Sequence, residues 1–136
     1  MKKILVLCTG NSCRSIIAEA LINNLASGIY KADSAGSKPT GYVHPKSIET
    51  LNRYGILIGS PRSKSWDEFK GQKFDLLIMV CDAATNVTCP VFLGNHTKLN
   101  WSVPDPAVVI GSEKLINAAF DETYMMLKAK IEDELL

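Results

Sequence analysis

Apolar positions along the chain alternate between two rhythms. Ile4-Leu5-Val6-Leu7, preceded by Lys3, is an unbroken apolar run of the kind found in strands covered on both faces. Ile29 to Ser34 reads as a second, weaker strand ending at Ala35-Gly36. Phe74 to Val80 is the strongest buried strand after the first, and Leu99 to Val103 a short fourth. Between these runs the spacing becomes helical. Ile16 to Ala26 is an apolar-rich helical segment. Ile48, Leu51 and Tyr54 share one face of a segment that starts at His44 or the turn before it, carries Pro45 in its first turn and ends at Gly55. Ser65 to Lys70 predicts a short helix. Ser112 to Leu136 predicts a long amphipathic one, with Leu115, Ala119, Met126, Ala129 and Leu136 among its apolar positions. Strand followed by helix, repeated, implies a parallel sheet with helices on both faces. No internal repeat, low-complexity tract or linker divides the chain, so residues 1–136 are expected to form a single three-layer α/β domain with a four-stranded parallel sheet flanked by helices.

A chain of 136 residues can bury roughly two thirds of its unfolded surface without metal or disulfide staples. Fifteen Lys and Arg stand against 14 Asp and Glu, with no long run of either sign, which argues against a nucleic-acid face or an acidic tail. Met1-Lys2-Lys3 followed by Ile4 to Leu7 imitates the charged start of an export signal. Its apolar stretch is too short, and no small-residue cleavage site follows. No stretch approaches the roughly 18 apolar residues of a membrane span. The expectation is a cytoplasmic protein that takes small or locally recognised partners. Its four cysteines, at 8, 13, 81 and 89, are then catalytic, redox or metal-binding thiols rather than two structural disulfides.

The chemistry concentrates where the first strand meets the first helix. Cys8-Thr9-Gly10-Asn11-Ser12-Cys13-Arg14-Ser15 forms a tight loop between them. Unpaired N–H groups at a helix start, together with the helix dipole, stabilise negative charge, so they favour Cys8 as a thiolate and cradle a tetrahedral anion. Gly10 and Asn11 are the residue types that most readily adopt left-handed conformations, which turn successive N–H groups inward. Ser12 and Ser15 add hydroxyl donors, and Arg14 offers a planar fork for two oxygens of one oxyanion. An isolated Cys8-x(5)-Arg14 pair reads more simply as a small buried hydrophobe and a surface helix residue. The strand before it, the turn-forming residues within it and the helix after it favour the anion cup. Cys13 reads as a packing residue facing away from the anion.

In open parallel sheets, ligands bind at the carboxyl ends of the strands. Cys8, Cys81 and Asp105 all follow such ends and are expected on one rim. Asp105 lies between Pro104 and Pro106, a stiff mount for a carboxyl that donates a proton to a leaving oxygen; Pro-Asp-Pro is also ordinary turn chemistry. Cys81 and Cys89 can be a buried strand-end residue and an incidental one, or a dithiol that supplies two electrons. The segment after Cys81 holds poor helix formers, and a helix that opens cheaply could carry a thiol between two positions.

With these residues in view, Cys8 to Ser15, Ser34-Ala35-Gly36, Asp105-Pro106 and the Cys81, Cys89 pair resemble the thioredoxin-coupled arsenate reductases of the low-molecular-weight protein tyrosine phosphatase superfamily. The match runs from the first strand to the last helix. The resemblance implies that Cys8 attacks arsenate, that Arg14 and the loop from Thr9 to Ser15 hold its oxygens, and that Asp105 protonates the departing hydroxide. It further implies that Cys81 attacks Cys8 to release arsenite, and that Cys89 resolves the resulting disulfide for reduction by thioredoxin. No tightly bound cofactor and a monomeric state are expected. Some relatives hold a monovalent cation beneath the loop; Asn11, Glu19 and Ser34 match ligand positions, without a clear fourth. Cys81 and Cys89 stand one position further apart than in the relatives, eight in all. Ile16 replaces a proline usual in the phosphatases, and Ala107-Val108 stand where an aromatic is usual; both differences argue against a tyrosine phosphatase. Two other readings use the same residues: a phosphatase that leaves Cys81 and Cys89 idle, and a four-thiolate metal module, whose spacings do not match the short zinc knuckles.

Overall fold

The computed structural model describes residues 1–80 and 97–136, so Cys81 and Cys89 lie outside the described residues. Lys2–Cys8 form strand β1, flanked in parallel by β2 (Tyr30–Gly36) and β3 (Leu76–Met79). β3 in turn carries β4 (Thr97–Asn100), giving a parallel sheet of order β2-β1-β3-β4. Ile4, Leu5, Val6 and Leu7 are all fully buried, which is why the run lacks polar alternation: both faces of β1 are covered. Ile4, Val6 and Cys8 join the larger core with helices α1 (Arg14–Leu25), α2 (Pro45–Arg53) and α3 (Glu113–Glu134) through Ile17, Leu21, Leu51, Phe120, Leu127 and Ile131. Leu5 and Leu7 pack on the opposite face against Ala35, Leu77, Phe74 and a single 3-10 turn, Trp66–Phe69. Among the described residues the three α-helices therefore touch one another on one face, while the other layer is the 3-10 turn.

Local chemistry sets the helix ends. The His44 Nδ1 accepts from the Lys46 N–H to cap α2, with Pro45 in the first turn, and Gly55 at φ 69° follows its last residues. The Ser112 hydroxyl caps α3 by accepting from the Leu115 N–H at 3.2 Å. The edge of β2 is closed by Asn23 of α1, whose side chain both accepts from the N–H and donates to the carbonyl of Ala32. None of the described helices is long and apolar enough to cross a membrane.

The elements follow the predicted order, with shifted edges. β2 extends two residues past Ser34 because Ala35 and Gly36 still pair with Leu7 and Cys8. β4 is Thr97–Asn100 rather than Leu99 to Val103, because its pairing is set by the register with Leu76–Met79. Trp101 and Val103 remain buried and donate to Met79 and Val80 beyond the regular strand, until Pro104, which has no N–H to give.

The close approach of β2 to the first loop is a sharp constraint. A Cβ at Gly36 would lie 2.4 Å from the Thr9 carbonyl oxygen, a backbone atom that has no room to yield, whereas nothing stands within 4 Å of a Cβ at Gly59. Gly36→Ala is expected to lower unfolding stability by about 2–3 kcal/mol, and Gly59→Ala by less than about 0.5 kcal/mol, as read by urea denaturation.

Candidate active site

The loop between β1 and α1 is shaped by what happens to its carbonyls. The Cys8 carbonyl accepts from the Ser37 N–H at 3.1 Å, and that of Thr9 from the Lys38 N–H at 2.9 Å. The Gly10 carbonyl accepts from the Thr40 N–H and the Ser63 hydroxyl, and that of Ser12 from the His44 N–H and the Ser47 hydroxyl. All four carbonyls are thus drawn outward by the surrounding segments. In a trans peptide the N–H points opposite to the carbonyl of the same plane, so the amides of Thr9, Gly10, Asn11 and Cys13 are aimed into the loop. The first-turn N–H groups of α1 add to them, and the result is a nest for an anion.

Asn11 locks this conformation. It has φ 49°, is fully buried and uses both ends of its amide. Its Nδ2 donates to the Ser15 and Ser34 hydroxyls at 2.8 and 2.9 Å, and its Oδ1 accepts from the Lys64 N–H at 2.9 Å. One side chain therefore ties the loop to α1, to the end of β2 and to the segment before the 3-10 turn. Glu19 lies beneath it. Burial pushes the Glu19 carboxyl up, while the charge of Lys64 and hydrogen bonds from Ser34 pull it back; the Lys64 Nζ is 3.8 Å away.

Arg14 closes the opposite side. One guanidinium nitrogen donates to the Val103 carbonyl at 3.0 Å and another lies 3.7 Å from the Asp105 carboxylate, so the arginine and the rim carboxyl face each other across the loop. The Asp105 Oδ1 accepts from the Ala107 N–H, which caps the 3-10 turn Pro106–Val108 and fixes the carboxyl's direction; its side chain is 36% exposed. The cavity so enclosed has a volume of about 320 Å³ and is lined by Cys8 to Arg14, with Lys38, Thr40, Tyr42, His44, Asp105 and Ala107 around its mouth.

Cys8 to Ser15, Asp105, Glu19 and Ser34 are thus brought together. Cys81 and Cys89 lie outside the described residues. Val80, to which Cys81 is bonded, donates its N–H to the Leu7 carbonyl at 3.0 Å, next to Cys8. Cys13 lies within the larger core, its sulfur 3.6 Å from the Ser12 hydroxyl and within hydrogen-bond influence of Ser47; burial pushes its thiol up from the ordinary value. Pattern reasoning missed Ser47, Ser63 and Lys64. Each reaches the loop from a distant polar stretch, and nothing in its own neighbourhood in sequence marks it.

A profile of the low molecular weight phosphotyrosine protein phosphatases matches residues 3–135. The chain belongs to this family. Within it, the chain is 34% identical over 113 residues to an arsenate reductase of Halalkalibacterium halodurans, covering 83% of this chain and 80% of the relative. It superposes on a solved arsenate reductase in the phosphate-binding state with a TM-score of 0.77 and 26% identity, covering 98% and 95% of the two chains. A thioredoxin-dependent arsenate reductase of Corynebacterium glutamicum gives a TM-score of 0.68 at 25% identity, covering 98% of this chain and 61% of that one.

The two loop cysteines of this phosphatase-family member differ in setting, which alkylation can read. At pH 7, iodoacetamide is expected to modify Cys8 at least roughly tenfold faster than Cys13: both sulfurs are buried, but the inward amides of the loop favour a thiolate at Cys8, whereas burial pushes the Cys13 thiol up. Phosphate should protect Cys8 alone. Peptide mapping by mass spectrometry checks this, and equal rates at the two positions would contradict the assignment of Cys8 as the nucleophile.

Proposed function

We propose that this protein reduces arsenate to arsenite through a cysteine nucleophile and a relay of intramolecular disulfides, regenerated by thioredoxin. The observation that carries the reading is the pairing of an anion loop led by Cys8 with a second cysteine covalently attached to Val80, whose N–H is bonded to the residue before Cys8. The likeness to arsenate reductases along most of the chain supports it, as do Ile16 and Ala107-Val108 in place of residues usual in the phosphatases.

The steps are those that the resemblance to the reductases implies, applied to the groups of this loop. Arsenate enters the cavity, and its oxygens meet the inward amides from Thr9 to Cys13, the Ser12 and Ser15 end of the loop, and Arg14. The Cys8 thiolate, favoured by the same amides and guanidinium, attacks arsenic and forms an S–As bond. Hydroxide departs and takes a proton from Asp105, leaving as water. The Cys81 thiolate then attacks the Cys8 sulfur: an S–S bond forms, the S–As pair goes to arsenic, and arsenic leaves in the +3 state as arsenite. Cys89 attacks Cys81, releases the Cys8 thiolate and leaves a Cys81–Cys89 disulfide, which the thioredoxin dithiol reduces while becoming a disulfide itself. All three sulfurs sit on one chain, so a monomer suffices. A cytoplasmic setting supplies both the reduced thiols and thioredoxin.

Substituting the downstream cysteines decides between reduction and hydrolysis. Cys81→Ser and Cys89→Ser are each expected to lower thioredoxin-coupled arsenate turnover by more than roughly 100-fold. Mass spectrometry after one turnover without donor should find Cys81 joined to Cys89 in the unmodified protein and Cys8 joined to Cys81 in Cys89→Ser. No thioredoxin-coupled arsenate turnover in the unmodified protein, with fast hydrolysis of phosphotyrosine that both variants retain in full, would make the protein a phosphatase instead.

A further inference from the structure

The ring of groups beneath the loop invites the question of what balances the charge of Glu19. Asn11 Nδ2 donates to the Ser34 hydroxyl, Ser34 favours the charged form of the Glu19 carboxyl, Lys64 Nζ lies 3.8 Å from that carboxylate, and the Lys64 N–H returns to Asn11 Oδ1. A monovalent cation held by Asn11, Glu19 and Ser34 does not fit this arrangement. Its ligands would include Asn11 Oδ1, which accepts from the Lys64 N–H and has one lone pair left, so this oxygen alone does not bar an ion. The ion would, however, have to approach an ammonium that is itself near the carboxylate, with both side chains largely withdrawn from water, 9% exposed for Lys64 and 19% for Glu19, so that solvent does little to screen the repulsion.

Lys64 is fixed by more than this pair. Its carbonyl accepts from the Gly36 N–H at 2.9 Å, its ammonium donates to the Arg62 carbonyl, and it lies 5.9 Å from the centre of the Phe69 ring. We propose that the Lys64 ammonium is a built-in cation, a positioning residue that neutralises Glu19 and holds the Asn11–Ser34–Glu19 ring under the anion loop without a bound metal ion. A cavity of about 360 Å³, lined in part by Glu19, Asp33 and Lys64, opens onto the pair from solvent, so an ion can reach the carboxylate once the ammonium is gone. The inference deepens the reading of Cys8 to Ser15 as an oxyanion cup and rests on it only for the ligand-binding readout.

The test uses the whole chain, with inorganic phosphate as the probe and two salts at equal ionic strength, potassium chloride and tetramethylammonium chloride. For the unmodified protein, Tm and phosphate affinity should be the same in both salts. Lys64→Met should bind phosphate roughly tenfold more weakly in tetramethylammonium chloride and regain most of that affinity in potassium chloride, with Tm rising by about 4 °C. Lys64→Met/Glu19→Gln removes both charges and should lose the salt difference, which keeps the test decisive if the single variant fails to fold. A specific potassium effect on the unmodified protein, or Lys64→Met with unaltered Tm and affinity in both salts, would overturn the proposal. Failure of the unmodified protein to bind phosphate at all would count against the oxyanion cup, while the Tm comparison would still decide the role of Lys64.

Discussion

Asn11 holds a left-handed backbone conformation in a fully buried position, and the amide of its side chain binds three separate parts of the chain to the turn it makes. A non-glycine residue at positive φ carries a conformational cost, and here the buried hydrogen bonds offset it. Each contributes on the order of 1 kcal/mol net, but losing the amide would strand the Lys64 N–H and the Ser34 hydroxyl away from water, at about 1–3 kcal/mol for each unsatisfied group. The loop is thus held by groups outside it.

The same logic explains how a run of peptide groups becomes an anion receptor. The loop presents N–H groups inward because its carbonyls are bonded outward to Ser37, Lys38, Thr40 and His44 and to the hydroxyls of Ser47 and Ser63. Donors set in advance stabilise charge with little reorganisation as the reaction proceeds, which is where electrostatic catalysis gains most. Arg14 is prepared in the same way. One of its five donors holds the Val103 carbonyl, and the looser contact to Asp105 leaves its fork free to meet an oxyanion beside that carboxyl.

A cup of this kind binds arsenate and phosphate alike, so the fold by itself does not separate a reductase from a phosphatase. The separation lies in what can reach the sulfur after it has attacked. Placing Cys8 at the end of β1 and the exit of β3 beside it puts the attachment point of Cys81 on the same rim. Hydrolysis needs water at that rim, whereas reduction needs a second thiolate there and a third to regenerate the first.

The unbroken run Ile4 to Leu7, the helical spacing through Ile16 to Ala26 and Ser112 to Leu136, and the Cys8 to Ser15 motif already contain the parallel sheet, the main helices and the loop that sets Cys8 beside Arg14. Burial on both faces leaves a continuous apolar signature, and a loop that turns N–H groups inward needs Gly and Asn at set places. The edges of β4, by contrast, follow hydrogen bonds to Leu76–Met79 rather than any pattern in Thr97–Asn100, a strand whose residues are mostly exposed. The pairing of Glu19 with Lys64, and the support given to the loop by Ser47 and Ser63, rest on contacts between residues tens of positions apart. Polar side chains with no periodicity carry no record of which neighbour they will meet, because that is decided only when packing of the apolar elements brings them together.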